Sequence, residues 1–256
     1  MRESSIEAFA IEESERRQLS AEEAAVIVED LEQKLKNKER RIGFGMTAEV
    51  YPFNKNDKNC LKIIHTGIKY STVHKKQTPE PTWYQPLRAE ADFMEMARKA
   101  STKARVPRPY YIIEESVTEE EPGTYEHYDI SALAMETMNA VTLRDILDGK
   151  CSVPKGFNPD SYFKNLKAFF EEINRAKLHH RDIHAGNVMV MLEDGSPVVI
   201  DFGCGVYANA EDAVTQEVTI NKGGRRVFAE LRFRPDAEQV EDLERTVRKH
   251  LENAGY

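Results

Sequence analysis

A carboxylate and an amide stand five positions apart in His180-Arg181-Asp182 and Asn187, between a helical pattern and a pair of strand patterns. A carboxylate there can orient a hydroxyl or accept its proton, and the asparagine oxygen is a hard donor suited to Mg²⁺. Asp201-Phe202-Gly203 follows directly on the apolar run 198–200. An aspartate at a strand end, followed by glycine, can bind a second side of the same metal. Upstream, Gly43-Phe44-Gly45 lies in a turn between strand segments, where backbone without side chains can approach phosphate oxygens. Lys62, on the partner strand, can reach back to those phosphates as a point charge.

Each of these residues has a plainer reading. His179, His180 and His184 with Asp182 could form a zinc cluster, although no cysteine lies nearby in sequence. Lys62 alone reads as a surface lysine and gains weight only from Gly43, Gly45 and Asp201. Cys204 could be a redox-sensitive thiol or a buried, inert one. Trp83 and Tyr84, between prolines, fit an exposed docking patch or packing under the next helix.

Periodicity predicts the elements that must hold these groups. Residues 1–19 show no sustained period and are expected to be mobile. Ser20 and Glu23 form a capping box, and Ala24, Ile27, Leu31 and Leu35 follow at helical spacing, so a helix is expected over 20–38. It either packs on its own domain or docks a partner. An alternating stretch to Phe53 and the run 60–64 predict a β-hairpin. A Pro-punctuated connection, 65–86, leads to a helix near 87–103. Strands are expected at 110–113 and 130–135, separated by an acidic segment, 114–129, read as a long solvated loop. Further helices are expected near 142–148, 158–177 and 236–251, and a small hairpin at 188–200. Residues 203–234 show no clear pattern. Strands first and helices second predict an α+β chain in two lobes.

The 256 residues carry 40% hydrophobic and 31% charged side chains, a globular composition that excludes collagen-like, low-complexity and disulfide-scaffold classes. Three scattered cysteines suit a reducing compartment, and neither a signal peptide nor a membrane span is expected. The net charge of -8 is unevenly distributed. Residues 1–40 hold 7 Lys/Arg and 11 Asp/Glu, and residues 114–129 hold 7 acids and no Lys or Arg. The remainder is therefore basic by +3.

In this order and context, the motifs resemble the eukaryotic-type protein kinase fold, strongly over 41–203. Gly43 to Val50 resembles the glycine-rich loop, and Cys60-Leu61-Lys62 the strand carrying the ATP lysine. Glu90 resembles the helix glutamate that pairs with it, and 133–138 the gatekeeper and hinge. His180-Arg181-Asp182 with Asn187 resembles the catalytic loop, and Asp201-Phe202-Gly203 the metal-binding motif. The resemblance implies a bilobal fold: an N-terminal helical extension (1–40), an N-lobe with hinge (41–138) and a reduced C-lobe (139–256). It implies ATP with Mg²⁺, or Mn²⁺ in its place. Lys62 would bind the α/β-phosphates, held by Glu90. Asn187 and Asp201 would chelate the metal, and Asp182 would position the acceptor hydroxyl and take its proton. Adenine would meet the backbone of Glu136 and Met138 between Val50, Cys60 and Met189. Met94, His180 and Phe202 would stack as a spine, and Asp242 would brace the catalytic loop.

Several departures bear on the acceptor. Ala48 stands where the loop's third glycine is usual, and His184 where Ser/Thr protein kinases usually have lysine. The run from Asp182 to Asn187 is instead similar to that of aminoglycoside and choline kinases. No Ala-Pro-Glu follows Gly203, and the short remainder resembles RIO, lipopolysaccharide and secreted bacterial effector kinases. Thr215 and Thr219 are candidate autophosphorylation sites, with Arg181, or Arg225 and Arg226, as receivers of the phosphate. The leading expectation is a Ser/Thr protein kinase; the alternatives are a kinase for a small hydroxylated molecule and a nucleotide-holding pseudokinase or scaffold. Expected partners are a protein or small-molecule acceptor and no nucleic acid, with docking through 20–38, 79–86 or 114–129. The expected location is the cytoplasm, or a host cytosol after delivery.

Overall fold

The computed structural model describes residues 2–12, 15–36, 42–44, 48–53, 58–71, 85–121, 124–222 and 225–255. The chain is mixed α+β and divides into two compact units, Met1–Pro81 with Arg108–Thr137, and Thr82–Pro107 with Met138–Tyr256.

The first unit is built on a seven-stranded antiparallel sheet. Its strands are β1 (Arg2–Glu12), β2 (Glu15–Gln18), β3 (Gly43–Phe44), β4 (Ala48–Pro52), β5 (Asn59–Ser71), β6 (Pro109–Glu121) and β7 (Thr124–Glu136), in the order β2-β1-β6-β7-β5-β4-β3. Side chains alternate across a strand, so Leu61 and Ile63 share one face of β5 while Cys60 and Lys62 share the other. The Leu61 face joins Tyr51, Ala132, Ala134 and Ile113 in a core cluster. Helix α1 (Ala21–Lys36) adds Ile27 and Val28 to that cluster, so it packs on its own unit. The capping box is formed: Glu23 N–H donates to Ser20 Oγ at 3.2 Å, and Ser20 N–H donates to the Glu23 carboxylate at 2.9 Å. Hydrogen bonding from Arg17 and from the Ser20 backbone lowers the Glu23 pKa to about 2.

Three segments expected to lack regular structure are strands. Residues 2–12 pair with β6, Ala8 and Ala10 entering the core while Glu7 stays exposed. Alanine is a weak apolar signal, which is why the alternation is easy to miss. The acidic stretch 114–129 is not a loop; β6 and β7 run through it in register from Glu114↔Ser131 to Glu121↔Thr124. Val117, Thr118, Tyr125 and Tyr128 are strand formers. The register sets Glu119 opposite Arg2 and Glu126 opposite Lys69. In the second unit, 203–234 contains β12 (Val206–Tyr207), α5 (Ala210–Ala213) and a hairpin of β13 (Thr215–Lys222) and β14 (Arg225–Arg232). Strand β5 also extends to Ser71.

The second unit opens with α2 (Leu87–Ala100). It continues with β8 (Ala140–Thr142), α3 (Leu143–Leu147), α4 (Pro159–Arg175), β9 (Leu178–His179), β10 (Val188–Met191) and β11 (Pro197–Val199), and ends with α6 (Asp236–Asn253). Asn158 caps α4 by accepting from Ser161 N–H at 3.0 Å, with Pro159 in the first turn. One face of α4 buries Tyr162, Phe163, Leu166, Phe169, Phe170 and Ile173. It packs on α6, whose Val240, Leu243, Val247 and Leu251 are buried at helical spacing. Strands β11, β10 and β8 form a small sheet, and β12 pairs with β9. Among the described residues, no helix is long and apolar enough to cross a membrane.

Leu166→Ala should lower the unfolding free energy by roughly 2–5 kcal/mol in urea titration, because the α4 core cannot collapse fully around the gap. Val26→Ala, on the exposed face of α1, should change it by less than about 0.5 kcal/mol.

Candidate functional site

Residues predicted to act together divide between the two units. In the first unit, the ladder sets Gly43 opposite Val50, Val50 opposite Lys62, and Lys62 opposite Leu133. Partners in an antiparallel ladder share a face, so these residues line the face opposite the core cluster. Lys62 is 4% exposed despite its charge. A Cβ at Gly43 would lie 3.2 Å from Val50 Cβ, so glycine suits the close approach of β3 to β4. Gly45 lies outside the described residues.

At the end of β7, Glu136 N–H donates to Arg108 O at 2.8 Å, and Glu136 Oε2 accepts from Arg108 N–H at 3.2 Å. The Glu136 amide is therefore already bonded to backbone. Cys60 Sγ lies 3.8 Å from the Glu136 carbonyl oxygen. Burial pushes the Cys60 thiol up to about 11.

In the second unit, side chains of α6 hold main-chain amides of the 180–187 loop. Asp236, 2% exposed at the start of α6, accepts from His180 N–H and Arg181 N–H, both at 2.9 Å. Asn174, with its amide nitrogen turned toward acceptors, donates to Asp236 at 3.0 Å and to Leu178 O at 2.9 Å. Gln239 Oε1 accepts from Ile183 N–H at 2.8 Å. Asp236 and Gln239 were not expected; Asp242, expected as the brace, pairs with Arg234 at 2.7 Å and Arg245 at 3.1 Å instead. The sequence signal for Asp236 is a carboxylate just after Pro235, which looks like an ordinary helix-start acid.

His180 Nε2 lies 3.0 Å from Ile200 O, which can only accept. The proton therefore sits on Nε2, and Nδ1 faces Asp182 N–H at 3.4 Å. Both ring nitrogens are committed, so the zinc reading of the histidines loses its central ligand; among the described residues, no group of three or more His, Cys, Asp or Glu is placed to hold a metal. The His180 ring packs on Phe202 at 4.7 Å, tilted by 60°, and meets Phe170 edge-on at 6.0 Å. Met94, on α2, is buried, and α2 packs on the 3₁₀ turn Phe202–Cys204.

Asn187 Nδ2 donates to Asp182 O at 2.9 Å and to Asp182 Oδ2 at 3.1 Å. This turns its oxygen away from Asp182 and leaves it for another donor or a cation. Ile200 N–H donates to Asn187 O at 3.0 Å, which sets Asp201 next to Asn187 along the backbone. Asp201 is in the left-handed region (φ 62, ψ 73), which aspartate tolerates better than most residues, and accepts from Gly203 N–H at 3.4 Å. A carboxylate and an amide oxygen are the hard donors Mg²⁺ takes when phosphates and water complete its shell. His184 Nδ1 accepts from Gly186 N–H at 2.9 Å, and its Nε2 lies 3.8 Å from Asp182 Oδ2.

Glu90 is 1% exposed on α2. Gln85 N–H, just before that helix, donates to Gly203 O at 2.7 Å. Met138 O accepts from Ala140 N–H at 2.9 Å, and half-buried Met189 lies opposite Thr142 in the ladder, its carbonyl accepting from Tyr162 OH at 2.9 Å. Trp83 and Tyr84 lie outside the described residues, as does most of 79–86. No protein-family model matches the chain, and no curated protein matches it in sequence.

Asp236→Ala leaves two buried amides without an acceptor and should cost roughly 2–5 kcal/mol in urea unfolding. Asp242→Asn, at an exposed ion pair, should shift the midpoint far less. Iodoacetamide at pH 8 should modify half-buried Cys151 well before Cys60, read by peptide mass analysis; Cys60 should gain reactivity only as pH approaches about 11.

Proposed function

We propose that the protein is an ATP-dependent phosphotransferase with a bilobal, protein kinase-like fold, moving the γ-phosphoryl group to a hydroxyl acceptor. The observation that carries this reading is the Asp182–Asn187 pair: one amide nitrogen fixes the carboxylate while the amide oxygen is left to a cation. By the resemblance, Lys62 would be the phosphate-binding cation and Glu90 its partner. Asn187 and Asp201 would hold Mg²⁺, or Mn²⁺ in its place. The metal, when bound, would neutralise charge on the phosphate oxygens. Asp182 aligns the acceptor hydroxyl for in-line attack and receives its proton, so positioning supplies most of the rate. Gly43, Val50, Met189, the Glu136 carbonyl and the Met138 backbone would surround the nucleotide.

A protein Ser/Thr hydroxyl and a small-molecule hydroxyl can both use this machinery. His184 beside Asp182 favours the second, because a lysine, usual at that position in protein kinases, is missing.

With γ-labelled ATP and Mg²⁺, the chain should label an acceptor when incubated alone, with cell lysate, or with sugars and amino alcohols. Asp182→Asn should lower turnover by roughly 10²–10⁴-fold, about 3–5 kcal/mol, with ATP binding retained. Near-normal transfer by that variant would refute the assignment. Asp201→Asn should weaken Mg·ATP binding in equilibrium dialysis, and unchanged affinity would remove the metal role.

A further inference from the structure

His184 follows Asp182 by two residues, and its ring is held in place although it is exposed. Nδ1 accepts from Gly186 N–H at 2.9 Å, and the His184 carbonyl accepts from Asn187 N–H at 2.9 Å. A Cβ on Gly186 would lie 2.9 Å from His184 Cε1 and 3.1 Å from Nδ1, so glycine at 186 is what lets the ring lie there. Because Nδ1 accepts, the ring proton is on Nε2. That nitrogen lies 3.8 Å from Asp182 Oδ2, too far for a direct hydrogen bond, and it has no acceptor among the described residues. Asp182 Oδ2 is itself fixed by Asn187 Nδ2 at 3.1 Å. The His184 and Asp182 side chains are 46% and 35% exposed, so a ligand can reach both. The loop thus presents two oriented groups side by side: a carboxylate that can take a proton and an N–H that lacks a lone pair.

We infer that His184 is the second contact for the acceptor, and that the acceptor is a 1,2-diol of the polyol or sugar class. The inference rests on the phosphotransferase reading and names its substrate class. One hydroxyl donates to Asp182, and the hydroxyl on the adjacent carbon accepts from His184 Nε2–H. Oxygens on adjacent carbons lie about one hydrogen-bond length apart, a span that fits beside groups separated by 3.8 Å. A lone hydroxyl serving both groups would give electron density to His184 from the very atom that attacks phosphorus. An ammonium on the adjacent carbon has only donors and would face the Nε2–H donor, so an amino alcohol fits poorly. Asp182 takes the proton of the first hydroxyl, and its oxygen forms a bond to the γ-phosphorus. The bond from that phosphorus to the bridging oxygen breaks, and ADP leaves with the electron pair. His184 also lines a cavity of about 610 Å³ bounded by α3 and α6, which leaves room beside the ring for an acceptor larger than the diol itself.

The test uses the full chain with γ-labelled ATP and Mg²⁺. Glycerol is compared with 1,3-propanediol, cis-1,2-cyclohexanediol with cyclohexanol, and 1,2-propanediol with 1-amino-2-propanol. At least about a tenfold higher kcat/KM is expected for one 1,2-diol over its control. His184→Ala should abolish that preference, and His184→Gln, whose side-chain amide restores an N–H donor, should recover part of it. Gly186→Ala keeps the histidine but pushes its ring aside, and should lower the preference as well. Each variant is first checked for an unchanged urea midpoint; the exposed His184 pair keeps the test open if Gly186→Ala fails to fold. Equal use of diols and controls, a preference for the amino alcohol, or a diol preference indifferent to His184→Ala overturns the inference and leaves the phosphotransferase reading standing. Label found only on protein hydroxyls in cell lysate does the same. No label on any of these acceptors or on protein overturns both.

Discussion

Two consecutive backbone amides, those of His180 and Arg181, converge on the Asp236 carboxylate. Much of the second unit's geometry depends on that contact. It closes a stretch of chain 55 residues long and fastens the first turn of α6 to the loop. Arg181 takes a left-handed conformation there (φ 69), which a non-glycine residue holds only under constraint from its surroundings. The turn so made sends successive side chains in different directions: His180 inward to Phe202 and the Ile200 carbonyl, Arg181 onto Phe233, and Asp182 toward Asn187. One carboxylate thereby sets the directions of three side chains.

A second fastening lies at Gly203. Its carbonyl accepts from Gln85 N–H, and the ring of Phe93 fills the space where a Cβ on Gly205 would sit. Helix α2 therefore travels with the 201–205 segment. The buried Glu90 belongs, by its packing, to the same unit as Asp182, Asn187 and Asp201. Sequence order, which sets α2 between two strands of the large sheet, gives no hint of this.

Some of the site was legible from residue types alone. Asp182, Asn187 and Asp201 stand out because few combinations of loop, strand end and hard oxygen donors have that spacing, and the backbone bond from Ile200 to Asn187 does bring them together. The helices were legible where their apolar faces are wide, as in α4 and α6. The strands of 114–129 were not, because consecutive glutamates mask a β-branched and aromatic pattern, and their pairing partners, Arg2 and Lys69 among them, are distant in sequence. Asp236 was hidden for a different reason: its partners are main-chain amides, which have no sequence signature. The same holds for Gln239. Hydrogen bonds to backbone become visible only once the chain has folded.

The register of the large sheet has a further bearing on how the molecule behaves among copies of itself. Without β1, the long strand β6 would present a row of open amides and carbonyls along its length, a template for another chain. With β1 in place that row is paired; β2, four residues of which three are charged, covers β1 over Phe9–Glu12, and the other end of the sheet is β3, two residues long. Such stubs offer an incoming strand little to pair with. The N-terminal segment thus occupies the open side of β6, a property that selects for pairing rather than for any chemistry.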